Sequence, residues 1–193
     1  MSKAAELAKF IADGTLGSDV NAIKHSGGTS GLTVDSSGHV LTPARPSFRA
    51  YLSANGAWTD ITHGGNYAVV FDAEKYDVGS NYSTSTGRFT VPITGTYYFA
   101  ARCYLHSNQG TRWLTIAKGT TNPASGETAN FLAQWYDSTN TTGRNGVRQV
   151  DATAQLTAGD QVGVYLYQDS DTVNGVYSEN NTVFNSFEGH LIG

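Results

Sequence analysis

Any chemistry in this chain would have to come from its histidines, its acids, its one thiol or its glycine-rich stretches. The five histidines are His25, His39, His63, His106 and His190. No two stand at the i, i+2 or i, i+4 spacing of a local metal site, so they read as scattered surface imidazoles. Gly27, Gly28 and Gly31 lack the lysine that follows the glycines of a phosphate loop, and there is no G-x-S-x-G nucleophile turn. Asp169, Asp171 and Glu179 fall close together before the last strand. Hard oxygens in a loop can hold Ca²⁺, but this spacing matches no EF-hand and reads as solvated loop acids, so no metal is expected. Glycoside hydrolysis needs two carboxyls at a set separation across a groove, and no repeated β-helix rungs supply one. With no catalytic constellation to assemble, neither enzyme activity nor a cofactor is expected. Cys103 is the single cysteine, which rules out an intrachain disulfide. It alternates with Phe99, Ala101 and Leu105 and reads as a small buried hydrophobe. Asn81-Tyr-Ser, Asn140-Thr-Thr and Asn180-Asn-Thr fit the glycosylation sequon, which has meaning only on a secretory route.

The elements that would position such residues are strands. Charged residues make up 15% of the 193, while 11 Tyr, 8 Phe and 3 Trp supply core volume, a balance that argues an all-β protein. The length suits one domain with an appendage. A net charge of -4 without basic runs gives no footprint for nucleic acid. Lys3, Glu6, Lys9 and Asp13 interrupt any signal-peptide core, and no stretch reaches the length of a membrane span. The chain is therefore expected to fold in a cytoplasm, without membrane insertion.

Met1 to Asp13 reads as a short amphipathic helix with Ser2 as N-cap, Ala4, Leu7, Ala8 and Ile11 on one face and Gly14 as the stop. A helix this short needs a partner, which points to a docking segment or a seam between chains. Residues 15–45 are rich in Gly, Ser and Thr. Within them Leu32–Val34 and His39–Leu41 flank Asp35-Ser-Ser-Gly38, a hairpin signal. Such a hairpin is not stable alone and must pack on the rest of the chain or on copies of itself. Beyond it, strands are expected near Ser47–Ala54, Tyr67–Phe71, Arg88–Val91, Gly95–His106, Arg112–Lys118, Ala129–Tyr136, Val147–Leu156, Gln161–Gln168 and Val183–Ile192, with a polar loop between Phe71 and Arg88. On Gly95–His106, alternation puts Tyr97, Phe99, Ala101, Cys103 and Leu105 on one face and Tyr98, Ala100, Arg102, Tyr104 and His106 on the other. On Gln161–Gln168 it separates Val162, Val164 and Leu166 from Tyr165 and Tyr167. The first set in each strand is the expected core. The second is too aromatic for a wetted face and points to a partner surface.

Three motifs follow in order: Phe71, Tyr82, Thr86-Gly87-x-Phe89, Pro92 and Gly95-x-Tyr97-x-Phe99; then Leu156-x-x-Gly159-Asp160-x-Val162; then Ser186-Phe187-x-Gly189-x-Leu191. Over residues 46–193 the chain resembles the C1q-like globular domains. That resemblance implies a ten-strand C1q/TNF-like jelly-roll sandwich that forms homotrimers, here behind a helical anchor at 1–14 and a stem at 15–45. The stem from Gly31 to Phe48 and the opening stretch from Ser2 to Thr15 resemble bacteriophage fibre and virion proteins. Together they imply a non-enzymatic virion protein, a fibre or decoration subunit, that attaches to a host surface glycan or protein and joins other virion proteins through its N-terminus. The alternatives are a purely structural capsid or tail decoration protein and a C1q-like lectin or ligand-binding domain of a cellular organism.

In the family's inner sheet the last strand lies beside the first, and the Gly95–His106 strand lies on its other side. The resemblance therefore puts Tyr98 and Ala100 toward a trimer axis, with Phe187, Gly189 and Leu191 expected on the same side. The same topology makes the turns at His106–Thr111, Asp137–Gly146 and Asp169–Thr182 distal from the stem, and Gly119–Glu127 proximal. Polar side chains with one aromatic ring suit a sugar, so Asp137, Asn140, Asp169, Asp171 and Tyr177 are the expected ligand contacts.

Overall fold

The structure, a computed structural model, describes residues 22–24, 30–61, 64–105, 110–120, 130–139, 145–169, 174–179 and 183–193. The helix expected over Met1–Asp13 lies outside these. The chain divides into two compact units, Met1–Arg45 and Pro46–Gly193.

In the first unit, β1 (Ala22–Lys24), β2 (Ser30–Val34) and β3 (Val40–Leu41) form an antiparallel three-stranded sheet in chain order. The hairpin expected around Asp35–Gly38 is present, with Thr33 opposite Leu41 and Val34 opposite Val40. Its turn is closed by two backbone bonds, from Asp35 N to His39 O and from Gly38 N to Asp35 O, both at 3.0 Å, and by one side chain. The Asp35 carboxylate accepts the backbone amides of Ser37 and His39, both at 2.9 Å, and meets His39 Nδ1 at 2.9 Å.

The second unit is a sandwich of two antiparallel sheets with no helix among the described residues. Its strands are β4 (Ser47–Tyr51), β5 (Asn55–Ile61), β6 (Asn66–Ala68), β7 (Ala73–Val78), β8 (Tyr82–Ser83), β9 (Arg88–Thr90) and β10 (Gly95–Leu105). They continue with β11 (Gly110–Lys118), β12 (Phe131–Thr139), β13 (Gly146–Leu156), β14 (Gln161–Gln168), β15 (Asn174–Glu179) and β16 (Ser186–Leu191). One sheet runs β5-β15-β10-β16-β4-β7, with β13 also on β10; the other runs β12-β11-β14-β9-β8, with β6 also on β14. This is the expected jelly roll, with short strands added to the expected ten.

The additions correct the sequence reading. The stretch between Phe71 and Arg88, read as a loop, carries β7 and β8. Asn174–Glu179, placed inside a distal loop, is a strand that pairs with Asn55–Ile61, itself unassigned. Both stretches are polar and short, so neither shows the apolar alternation that marks a half-buried strand. They are strands because a neighbour supplies the ladder: β7 pairs β4, and the β5–β15 ladder joins β10 where Val176 meets Leu105.

Between the sheets lies an aromatic core built from Phe48 and the aromatic residues of the motifs. Phe48 stacks on Tyr82 at 4.9 Å and on Phe89 at 4.8 Å and meets Phe187 edge-on at 4.9 Å, in geometries that suit the ring quadrupoles. Phe48, Phe71, Phe89, Tyr97, Phe99 and Phe187 are all fully buried. The buried Tyr82 hydroxyl donates to Phe71 O at 3.0 Å, so its polar end is satisfied; burial pushes its pKa far up and the phenol stays neutral.

Gly87 closes the β8–β9 turn at φ 70°, with its amide donating to Ser83 O at 2.8 Å. A Cβ there would lie 2.9 Å from Val70 Cα, so glycine is required both by conformation and by space.

Candidate functional site

Strand register decides which of the residues expected at a subunit contact lie on the outward face of the seven-stranded sheet. Paired residues share a face. Ala100 lies opposite Glu188 and Asp151, and Glu188 opposite Arg49. Tyr98 lies opposite His190 and Thr153, with its ring 5.5 Å from the imidazole. Tyr98 and Ala100 therefore face outward, as expected.

Phe187, Gly189 and Leu191 do not. They pair with Ala101, Phe99 and Tyr97, the core-facing set of β10. Phe187 is 0% exposed and sits among Phe48, Phe71 and Phe99. A Cβ on Gly189 would lie 2.5 Å from the Phe99 ring, and Leu191 packs against the core. The physical reason is parity: Tyr97 faces inward and Leu191 is its direct partner, so the odd-numbered residues of β16 face inward too. The outward residues of β16 are Ser186, Glu188 and His190.

Both signs of charge stand on this outward face. Arg49 Nε meets Glu188 Oε2 at 3.0 Å. Partial burial, with the Asp151 and Glu188 carboxylates nearby, raises the Tyr98 phenol above its ordinary pKa.

At the end of the sandwich opposite Pro46, the same face turns apolar. Trp58 pairs with Tyr177, and Tyr104 with Val147. Trp58 and Tyr177 lie 4.9 Å apart, Tyr104 and Tyr177 5.6 Å, and Tyr104 and Phe184 5.3 Å. The row from Trp58 through Tyr177 and Tyr104 to Val147 thus crosses β5, β15, β10 and β13. Its two ends stay open, with Trp58 and Val147 each 38% exposed. Asn185, fully buried, braces the row: its Nδ2 donates to Tyr177 O at 2.6 Å and its Oδ1 accepts the Tyr104 amide at 2.9 Å. Sequence reasoning found Tyr104 and Tyr177 but assigned them to different roles, and it missed Trp58, Val147 and Asn185. Alternation along β10 carried a signal for Tyr104; the pairing of Trp58 with Tyr177 has none in the sequence.

The expected ligand contacts are dispersed. Asp137 pairs with the nearly buried Arg112 at 2.8 Å, and the Asp169 carboxylate accepts the Thr111 amide. Both carboxylates brace strand ends. Tyr177 belongs to the aromatic row and not to a loop, while Asn140 and Asp171 lie outside the described residues. All three described positions do sit at the end opposite Pro46, because β4 and β10 run the same way with β16 antiparallel between them.

Cys103 is buried among apolar neighbours, which raises its thiol well above the usual range and leaves it un-ionised. A cavity lined by Ile61, Leu105, Arg112, Leu166 and Gln168 measures about 10 Å³, room for about one water.

The architecture and the motif-built core define a jelly roll of the C1q and tumour-necrosis-factor kind. Residues 54–192 match the C1q domain, and the chain belongs to that family. Among solved structures it is similar to the globular domain of zebrafish complement 1qA, with a TM-score of 0.55 and 20% identity over 77% of this chain and 98% of that one. It is also similar to the Eiger TNF of S. frugiperda, at a TM-score of 0.53 and 15% identity over 78% and 94% of the two chains. Murine APRIL matches with a TM-score of 0.53 and 12% identity over 77% and 99%.

Proposed function

We propose that this chain is a non-enzymatic, self-assembling attachment protein: a homotrimer of C1q-like heads carried on a short stem, with recognition at the end opposite Pro46. The carrying observation is the apolar row of Trp58, Tyr177, Tyr104 and Val147 on the same face as Tyr98 and Ala100. An aromatic row whose middle strands are tied together by a buried asparagine and whose ends are exposed is what a subunit contact buries. The mixed charges beside them, Arg49 with Glu188 and Asp151 near Tyr98, suit a contact with another copy of the same face or edge. The stem's likeness to bacteriophage fibre proteins extends the reading to a virion protein, assembled in a host cytoplasm, docked through its N-terminal segment and presenting its heads to a host surface. Membership of the C1q family supports equally a ligand-binding head of a cellular organism.

The test is sedimentation of the full chain. The wild type is expected to run as a trimer, and Tyr104→Asp as a monomer that keeps its β-sheet circular dichroism. A monomeric wild type overturns the proposal. Electron microscopy of particles carrying the labelled protein separates the virion reading from the cellular one.

A further inference from the structure

We infer that the outward face of the six-stranded sheet carries a carbohydrate site, built on Tyr136 and taking a neutral pyranose residue. Tyr136, Trp113 and Tyr167 stand side by side on β12, β11 and β14. Leu114 and Leu166, the next residue along from Trp113 and the residue before Tyr167, belong to the core, so the three rings project from the other face. They form a stack. Trp113 and Tyr167 lie 3.8 Å apart at 11°, and Tyr136 continues the series at 6.2 Å and 21°. The middle ring is pinned, since its indole N–H donates to Asn66 Oδ1 at 3.1 Å. Tyr136 ends the stack on β12, the last strand of its sheet, and is 58% exposed.

A ring held by its neighbours offers a flat apolar surface whose ordering cost is already met before a ligand arrives. The polar groups around it set the ligand class. Along β12 the residues sharing the face of Tyr136 are Gln134 and Ser138, both exposed; Gln134 is steadied by its Nε2 donating to Thr115 Oγ1 at 3.2 Å. Neither is ionised. Asp137, the nearest acid in sequence, lies on the opposite parity and is paired with Arg112. A flat apolar surface rimmed by an amide and a hydroxyl matches a pyranose, which presents an apolar C–H face and a ring of neutral hydroxyls. Among the described residues, an anionic ligand finds no cation in this row. The inference is independent of whether the head belongs to a virion or to a cell.

The experiment titrates the ¹⁵N-labelled full chain with glucose, galactose, galacturonate, cellobiose and galactobiose, following the three tryptophan indole resonances, with Trp113 assigned from Trp113→Phe. The Trp113 resonance is expected to shift with the neutral sugars and not with galacturonate, while that of Trp58 stays still. Tyr136→Ala should weaken binding at least about tenfold, Gln134→Ala severalfold, and Tyr136→Trp should retain it, all with wild-type sedimentation and melting. Tighter binding of a disaccharide assigns the site to an extended glycan and equal binding to a terminal residue; either supports it. No shift with any neutral sugar, or a shift that Tyr136→Ala leaves intact, overturns it. Because sedimentation is read on the same samples, loss of the trimer and loss of the sugar site are told apart.

Discussion

Gly189 lets the last strand lie directly on the aromatic core. A Cβ there would meet the Phe99 ring at 2.5 Å and the Phe48 ring at 3.0 Å, both packed and fully buried. Gly189→Ala is therefore overpacking at a site with nowhere to relax, and a loss of about 1–3 kcal/mol is expected. Phe187, one turn of the alternation earlier, is the opposite case. Truncating it to alanine leaves a cavity among Phe48, Phe71 and Phe99, and about 3–5 kcal/mol should go. Urea unfolding monitored at a protein concentration where the assembly state is unchanged checks both. Substitutions of Phe187 that left stability intact would remove it from the core. The motif S-F-x-G-x-L was legible as a motif, but which way its odd-numbered side chains face was not. That depended on the partner strand: Leu191 lies opposite Tyr97, and Tyr97 points inward.

At the scale of elements, one carboxylate reinforces the turn of the β2–β3 hairpin. Asp35 is held below its ordinary pKa, chiefly by the His39 backbone amide and then by the His39 side chain, against desolvation, with lesser help from the Ser37 and Gly38 amides. A folded-state pKa below the unfolded one means that this contribution is present above the unfolded carboxylate pKa and is lost as pH falls through the folded value. The His39 amide resonance should therefore move to its random-coil position on acidification through the carboxylate range. In Asp35→Asn, which removes the charge, it should show no such titration. A His39 amide that ignores pH in the wild type would show that the turn does not rest on Asp35. This hairpin was readable in the sequence because its signal is local: alternating apolar residues on either side of a turn. The β5–β15 ladder was not, because Asn55–Ile61 and Asn174–Glu179 have no strand character apart from each other.

On the scale of the whole molecule, every buried residue of the core cluster among the described residues lies between Phe48 and Phe187, inside the unit Pro46–Gly193. A chain beginning at Pro46 is expected to melt cooperatively and to sediment as the full chain does. Under the virion reading it would fail to join particles. An unfolded truncated chain would mean that the first unit completes the head, and normal incorporation would give the N-terminal segment a different role.

Composition argued an all-β protein, and the resemblance of its three ordered motifs to the C1q-like domains implied the head, which the family match covers over residues 54–192. The motifs could do so because aromatic and glycine residues at fixed spacing report the core and the tight approaches of one particular sandwich. Alternation along β10 likewise separated Tyr97 and Phe99 from Tyr98 and Ala100 without any coordinates, since the period of a strand is a local property. Only the tertiary structure decided what stands beside what. It set Phe187 and Gly189 inward, joined Trp58 to Tyr177 and Tyr104, and stacked Tyr136 on Trp113 and Tyr167. Each of these juxtapositions brings together residues distant in the chain, through a register that no single strand specifies for itself.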